Sequence, residues 1–290
     1  MTAAILTREL SKHYGNLHAV DRMDLEIPAG SAFGLIGPNG AGKSTTMAIL
    51  ASLLAPTSGS VEVAGFDPTS EPREVRRRLG YMPDVMGVYD NLRVDEYLQF
   101  FAASYGIDRS AWSRLVDGLL ELVDLNVKRD AMVDSLSRGM KQRLSLARAL
   151  VHDPEVLILD EPASGLDPRA RVELRGLLAE LRAMGKTVVI SSHILAELEE
   201  MCTHVAVMEA GRLLASGTPN EIFDRLSTGR VVNVHLLGGE VLPYTVQTEA
   251  EQAELVRRLV VEDGLDIVQV VEGERGLESL FLQLTEGTVQ

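Results

Sequence analysis

The chain has 290 residues, a single cysteine (Cys202) and a formal net charge of −14. This length can form one large hydrophobic core and a small second one, and a single cysteine excludes a disulfide framework and indicates a reducing compartment. The acidic charge disfavours a nucleic-acid partner, which needs a basic surface. Because no signal-peptide core and no apolar run of roughly 18–20 residues is found, we expect another chain to supply any membrane part.

The chain begins with a region of predicted strands. Apolar and polar residues alternate within residues 3–27, and residues 28–30 then form a turn. Tyr14 lies between two of these strands, directly before Gly15. A lone aromatic residue in that position is usually explained by packing or by the turn itself.

A phosphate-binding loop is predicted at residues 37–45. A glycine, four further residues and then Gly-Lys-Ser follow one another there, which is the P-loop pattern. Residues 32–36 suit a buried strand and residues 45–54 suit a helix, and these flanks disfavour the alternative of a glycine-rich turn that binds nothing. We therefore expect nucleotide at Gly37, Pro38, Asn39, Gly40, Ala41, Gly42, Lys43, Ser44 and Thr45.

The residue types of this loop have separate roles. The glycines allow successive backbone N–H groups to point at a phosphate chain, and the N-terminus of the following helix adds positive charge. We expect Lys43 to reach the β- and γ-phosphates of ATP, as a catalytic residue, and the Ser44 hydroxyl to bind Mg²⁺.

After the loop, strands are predicted at residues 60–65 and 79–84, and helices from residue 73, at 94–105 and at 112–122. The helix at 94–105 carries aromatic side chains three and four residues apart. Such a stripe is most often part of a core, and it can also form a docking groove for a partner helix. The stripe consists of Tyr97, Phe100, Phe101 and Tyr105.

A second anion site is predicted far from the P-loop in sequence. Ser137 precedes a helix with Met140, Leu144 and Ala147 on one face, and serine is a favoured N-cap residue. Its hydroxyl and the first free N–H groups of the helix therefore lie together at a positive helix end.

Two carboxylates, Asp160 and Glu161, follow the apolar strand predicted at residues 155–159. A surface turn is the alternative explanation, but a P-loop upstream favours a functional one, because buried strands deliver ligands and bases at their carboxyl ends. Asp160 is expected to hold Mg²⁺ through water, and Glu161 to orient or deprotonate the attacking water. His193 ends another predicted strand at the same edge of the sheet and is expected to contact the γ-phosphate.

The end of the chain, from about residue 228, has a different character. A two-stranded ribbon is predicted from residues 230–237 and 244–246, and a helix at 251–261, a strand at 267–271 and a helix at 277–284 follow. We predict two domains, a nucleotide-binding domain at 1–227 and a small α+β domain at 228–290. No second P-loop occurs, which indicates a single nucleotide module.

In this order, the motifs resemble those of the nucleotide-binding subunit of an ATP-binding cassette (ABC) transporter, over about residues 3–225. The resemblance implies an α/β P-loop NTPase core with an N-terminal antiparallel β subdomain and a helical signature subdomain at about 85–152. Residues 276–285 are similar to the ending of the drug-resistance and polysaccharide-exporter branch. The corresponding motifs are the aromatic loop at Tyr14, Walker A at 37–45, the Q-loop at 82–84, the signature at 136–140, Walker B at 157–161, the D-loop at 164–167 and the switch histidine His193.

The resemblance also implies roles for individual residues that their pattern in the sequence does not indicate by itself. Tyr14 stacks on the nucleotide base, Ser137 and Gly139 meet the γ-phosphate of ATP held by a second copy, and Asp167 belongs to the same ATP site. Asp84 stands where the family has glutamine, and it is expected to reach Mg²⁺ with a shorter side chain and an added negative charge.

The signature departs from the family's usual Leu-Ser-Gly-Gly-Gln, because Arg138 and Met140 occupy its third and fifth places. Ser137 and Gly139 remain, so the phosphate-sensing role is expected to persist with altered geometry.

The resemblance to this family implies a head-to-tail homodimer that encloses two ATP molecules. It also implies that this dimer powers a separate integral membrane permease at the cytoplasmic face of the cell membrane. We expect the permease to dock near residues 84–105, transport to be export, and no nucleic acid to bind.

Two alternatives to this function stay open. One is a soluble ABC protein of translation or DNA repair, against which the single cassette and the acidic charge argue. The other is a regulatory cassette that binds ATP without useful hydrolysis, which Asp84 and Arg138 keep open.

Overall fold

The computed structural model describes residues 3–84, 87, 91–226 and 230–272. The chain divides into two compact units, Met1–Thr218 and Pro219–Gln290. In chain order, the strands and helices of the first unit are β1 (Ala3–Tyr14), β2 (Leu17–Pro28), β3 (Ala32–Ile36), α1 (Lys43–Leu50), β4 (Ser58–Val63), α2 (Pro72–Arg78), β5 (Leu79–Met82), α3 (Val94–Ser104), α4 (Trp112–Leu122), α5 (Arg138–Leu150), β6 (Val156–Leu159), α6 (Pro168–Ala183), β7 (Thr187–Ser192), α7 (Leu195–Met201), β8 (His204–Glu209) and β9 (Arg212–Gly217).

The central sheet has the strand order β5-β6-β7-β3-β8-β9. Its first five strands are parallel, and β9 pairs antiparallel with β8 at one edge. Every residue of β3, β6 and β7 is buried, which explains why these strands are short and mostly apolar. Because the strands are parallel, the segments that follow β3, β5, β6 and β7 emerge at the same edge of the sheet, where ligands of such folds bind.

A second sheet, with the order β2-β1-β4, is antiparallel and formed by the first part of the chain. This is the predicted N-terminal β subdomain. Its buried side chains, such as Leu10 and Val20, pack in one core with Phe33 of the central sheet and Met47 of α1. The shared core holds the P-loop helix between the two sheets.

The sequence predicts a helix at 45–54, and α1 is observed at Lys43–Leu50. The observed helix therefore starts two residues earlier and ends four residues earlier than predicted. Gly42 adopts a left-handed conformation (φ 102°) at its N-cap, so the helix starts directly at Lys43. Strand β9 was not predicted; the sequence at 209–212 indicates only a turn, and an edge strand with few buried residues has a weak pattern.

The aromatic stripe is divided between core and surface. Tyr97 is fully buried on α3, whereas Phe100 and Tyr105 remain 46% and 43% exposed. Tyr105 stacks on His152, with ring centroids 3.9 Å apart. The stripe therefore contributes Tyr97 to the core and leaves Phe100 and Tyr105 exposed.

The second unit contains α8 (Pro219–Leu226), β10 (Arg230–Leu236), β11 (Val241–Val246), α9 (Glu249–Val261) and β12 (Ile267–Glu272). Its antiparallel sheet has the order β11-β10-β12, so the predicted ribbon gains a third strand. Helix α8 was not predicted, and the predicted helix 277–284 lies outside the described residues. The core of this unit consists of Val232, Val234, Val246, Leu255 and Leu259.

The boundary between the two units precedes α8, whereas the sequence suggests a boundary after residue 227. The roles assigned to residues 1–227 and 228–290 stay predictions. Within the part of the chain that the structure describes, no helix has the length and hydropathy that crossing a bilayer requires.

Candidate functional site

The loop between β3 and α1 has a backbone that only glycine permits. Gly40 and Gly42 have φ values of 85° and 102°. A Cβ at Gly37 would lie 2.4 Å from the Met208 carbonyl oxygen, and one at Gly42 would lie 2.2 Å from the Ala19 carbonyl oxygen. The glycine spacing read from the sequence therefore has two causes, which are unusual dihedral angles and close backbone packing.

This loop forms one wall of a cavity of about 450 Å³. The cavity also brings together three residues that are far apart in sequence, Asp84, Glu161 and His193. The cavity is lined by Tyr14, Leu17, Ala19, Pro38, Asn39, Gly40, Ala41, Gly42, Lys43, Ser44, Thr45, Asp84, Glu161, Ser164 and His193.

Lys43 lies at the base of the loop and is almost completely buried. Its Nζ donates hydrogen bonds to the carbonyl oxygens of Gly37 (2.6 Å) and Pro38 (3.3 Å). Burial lowers the pKa of Lys43, while the negative charges of Glu161 and Asp160 oppose that shift. The ammonium group of Lys43 is thus held at the cavity by backbone carbonyl oxygens and by the charges of the two carboxylates.

Glu161 follows β6 and has a left-handed backbone conformation, with φ at 50°. One carboxylate oxygen lies 2.9 Å from His193 Nδ1, and the other lies 3.8 Å from Lys43 Nζ. The structure therefore brings together the three residues that the sequence marks as catalytic.

Asp160 is 4% exposed, and its Oδ1 accepts a hydrogen bond of 2.5 Å from Ser191 Oγ. The same hydroxyl accepts a hydrogen bond of 2.8 Å from the Glu161 amide. Sequence reasoning missed Ser191. The available signal was a hydroxyl residue near the end of the buried strand Thr187–Ser192, two residues before His193.

The predicted Mg²⁺ ligands, Ser44, Asp84 and Asp160, all carry oxygen donors, as this hard cation prefers. Ser44 and Asp84 line the cavity. Burial raises the pKa of Tyr81 to about 12, with further contributions from the charges of Asp160 and Asp84, so both carboxylates act on the same neighbour. Among the described residues, no three His, Cys, Asp or Glu side chains form a metal-binding group. The available donor set is thus one hydroxyl and two carboxylates, which suits Mg²⁺ completed by phosphate and water oxygens.

The residues of the second predicted anion site do not line the cavity. Ser137 caps α5, as predicted, and its Oγ accepts a hydrogen bond of 3.3 Å from the Met140 amide. Asp167 caps α6 and accepts a hydrogen bond of 2.9 Å from the Ala170 amide. Neither residue, nor Gly139, belongs to the described lining of the cavity, and their nucleotide contacts stay predictions.

Arg138 contacts the loop before α6 instead of pointing away from the protein. A Cβ at Gly165 would lie 2.6 Å from the Arg138 guanidinium carbon, and Arg138 Nη2 lies 3.5 Å from Ser164 Oγ. Gln142 Nε2 also donates a hydrogen bond of 3.1 Å to the Ser164 carbonyl oxygen. The start of α5 therefore contacts a residue that lines the cavity, Ser164.

These features define a P-loop nucleoside-triphosphatase. A buried parallel sheet presents the phosphate-binding loop, a carboxylate pair and a histidine at one edge, which is the arrangement that the phosphoryl-transfer chemistry of this class requires.

The ABC transporter family model matches residues 20–164. The Nod factor export ATP-binding protein I of Cupriavidus metallidurans is 36% identical, over 98% of this chain and 98% of its own length. The protein of the same name from Rhizobium meliloti is 37% identical, over 98% of this chain and 88% of its own length. The chain therefore belongs to the ABC transporter family, as an ATP-binding subunit with ATPase activity.

Solved structures agree with this assignment. The ATP-binding subunit of an ABC transporter is 31% identical, with a TM-score of 0.70, over 77% of this chain and 93% of its own. The cbiO1 protein of Clostridium perfringens, part of the transporter complex cbiONQ, is 29% identical, with a TM-score of 0.70, over 77% and 92%. The family and the fold class expected from the sequence are confirmed.

Proposed function

We propose that two copies of this chain bind two ATP molecules with Mg²⁺ at a shared interface, and that hydrolysis drives a separate integral membrane permease in an export reaction. The observation that carries the proposal is the division of the site. The P-loop, Glu161 and His193 line one cavity, while Ser137 and Gly139 lie outside it. In a two-fold, head-to-tail dimer, each copy supplies the missing helix end to the other copy's cavity.

ATP binding uses both the aromatic residue and the loop that line the cavity. Tyr14 lines the cavity and is 50% exposed, so its ring offers a stacking surface for the base. The backbone N–H groups of the loop and the N-terminus of α1 face the phosphates. Lys43 exchanges its bonds to the Gly37 and Pro38 carbonyl oxygens for bonds to phosphate oxygens, which are stronger acceptors because they are charged.

Ser44, Asp160 and Asp84 would hold Mg²⁺. When bound, the ion neutralises charge on the β- and γ-phosphate oxygens. The carboxylate of Asp84 adds a negative charge that the family's glutamine lacks, so the metal site of this chain has one more formal charge than the usual site.

Glu161 orients the attacking water and accepts its proton, and His193 holds the carboxylate by the contact at Nδ1. Lys43 Nζ lies 3.8 Å from the Glu161 carboxylate, and Lys43 moves toward the phosphates when ATP binds.

The permease partner and the direction of transport are supported by the relatives. One solved relative is part of a transporter complex, and the curated relatives are export ATP-binding proteins. The permease docks near residues 84–105, where Phe100 and Tyr105 offer exposed aromatic surface on and beside α3. We propose that this docking holds the chain at the cytoplasmic face of the cell membrane.

The dimer is tested in a Glu161→Gln background, in which ATP persists. Replacing Ser137 by alanine is expected to weaken the ATP-dependent dimer about 100-fold or more, because one charge-assisted hydrogen bond is lost at each of the two sites. Light scattering with ATP and Mg²⁺ measures the dimer fraction against concentration.

Ser137→Ala also removes the N-cap of α5 and thereby lowers the stability of the protein. The effect of losing a helix cap is therefore measured separately in a control variant. Thr248→Ala removes an equivalent cap from α9 in the second unit and is expected to leave the dimer intact. A Ser137→Ala protein that dimerises like its parent contradicts the shared site.

The permease is tested by purifying the tagged full chain from detergent-solubilised membranes of its source cells. A polytopic protein is expected to copurify in a fixed ratio and to stimulate ATPase activity. A chain that fractionates entirely without membranes contradicts the transport role.

A further inference from the structure

Ser191 joins the two acidic residues of the site through a single hydroxyl group. Ser191 Oγ donates to Asp160 Oδ1 over 2.5 Å and accepts from the Glu161 amide over 2.8 Å. We infer that Ser191 is a positioning residue, which fixes the metal-binding carboxylate of Asp160 and the water-activating residue Glu161 relative to each other. The inference rests on the roles proposed above for those two residues.

The direction of these bonds follows from the chemistry of the groups. The Glu161 N–H can only donate, so the Ser191 oxygen must accept there. The hydroxyl hydrogen is then free for Asp160, whose ionised carboxylate is an acceptor only. One rotatable hydroxyl is thus held in a single orientation by one neighbour on each side.

The neighbouring strands place Ser191 at this point. The parallel register pairs Leu159 with Ile190, so Ser191 lies beside Asp160, where β6 has ended. On the other side of β6, the Asp160 amide donates to the Met82 carbonyl oxygen over 2.8 Å. Just after the end of β6, the backbone of Asp160 is therefore bonded to β5 and its carboxylate is bonded to β7.

The backbone of Glu161 needs this support. A glutamate with φ at 50° is in the left-handed region, which is unfavourable for a residue with a side chain and persists only where the surrounding structure enforces it. The bond from its amide to Ser191, together with the 3.0 Å bond from the Ser164 amide to its carbonyl oxygen, fixes the turn that aims its carboxylate at His193. Without the hydroxyl, both a buried carboxylate oxygen and a backbone N–H lose their partner.

Ser191 is completely buried and does not line the cavity, so it acts through Asp160 and Glu161. Replacing it with alanine is expected to lower kcat about 10- to 100-fold, as is typical when the residue that orients a metal ligand is lost. The ATP concentration at half-maximal rate is expected to change less than about twofold, because the P-loop contacts are unaltered.

The test combines kinetics with metal and nucleotide binding on the full chain. Mn²⁺ affinity, measured by electron paramagnetic resonance with a non-hydrolysable ATP analogue, is expected to fall about tenfold in Ser191→Ala. Nucleotide stoichiometry is expected to stay at one per chain. Ser191→Thr keeps the hydroxyl and is expected to restore most of the kcat and most of the Mn²⁺ affinity.

Ser145→Ala is the matched control. It removes another buried hydroxyl, on α5, for which the structure records no hydrogen-bond partner, and wild-type kinetics are expected. Wild-type kcat in Ser191→Ala overturns the inference. So does a loss of kcat matched by an equal loss of nucleotide stoichiometry, because that outcome assigns Ser191 to folding alone. If the unmutated chain neither dimerises with ATP nor couples to a permease but Ser191→Ala still lowers its ATPase activity, the proposed function fails and the inference stands.

Discussion

Replacing Glu161 by glutamine is expected to lower ATP turnover by about 100-fold or more while ATP remains bound. A general base at the attacking water typically contributes about 10²–10⁴ in rate, and glutamine cannot accept the proton. Binding is expected to persist or strengthen, because the variant removes a negative charge that lies 3.8 Å from Lys43 Nζ. Steady-state phosphate release and equilibrium ATP binding measure the two effects, and the ATP-bound dimer is expected to live longer.

A matched variant is available at the other end of β6. Glu155 lies just before β6 and is exposed beside Arg78, so Glu155→Gln makes the same chemical change away from the cavity. Its turnover is expected to match that of the unmutated chain. Normal hydrolysis by Glu161→Gln removes Glu161 from its proposed role and makes another group, such as His193, the candidate base.

Replacing Lys43 by alanine is expected to weaken ATP binding about 10- to 100-fold, because hydrogen bonds to charged groups contribute roughly 1.5–3 kcal/mol each. The change also leaves the Gly37 and Pro38 carbonyl oxygens without the donor that the structure shows. Titration with a fluorescent ATP analogue measures the affinity, and thermal unfolding measures the accompanying loss of stability.

One matched variant separates the loss of the phosphate contact from a loss of stability. Lys186 is also buried and bonds to Asp153 and to the Pro154 carbonyl oxygen, but it does not line the cavity. Lys186→Ala is therefore expected to lower stability with little change in ATP affinity. Unchanged affinity in Lys43→Ala contradicts the assignment of the P-loop.

The site was predictable from sequence where one residue type is required for a physical reason. Gly42 must be glycine because its dihedral angles and its closeness to Ala19 exclude any other side chain. Asp160 and Glu161 follow a short apolar strand, which is a strong local pattern. The N-cap of α5 was likewise predictable, because Ser137 satisfies an amide of its own helix.

The features that the sequence did not predict have a common cause. Tertiary contacts decide which side chains are buried, which weakly patterned segments become strands or helices, and which distant residues touch. Helical spacing could not show that Tyr97 faces the core while Phe100 and Tyr105 stay exposed, since that depends on what packs against α3. Strand β9 lacks a strong pattern of its own, and α8 is a short helix of eight residues. Arg138 was seen only as an added charge, whereas it contacts Gly165, a residue 27 positions later.

By itself, the sequence determined the family, the P-loop, the acidic pair and the order of the elements, because each depends on residues that are neighbours along the chain. Only the tertiary structure decided which distant residues act together. The parallel register of β6 and β7 brings Ser191 to Asp160 and Glu161, and the fold separates Ser137 from the cavity that it is proposed to complete. Such pairings depend on strand order and register, which no local pattern encodes.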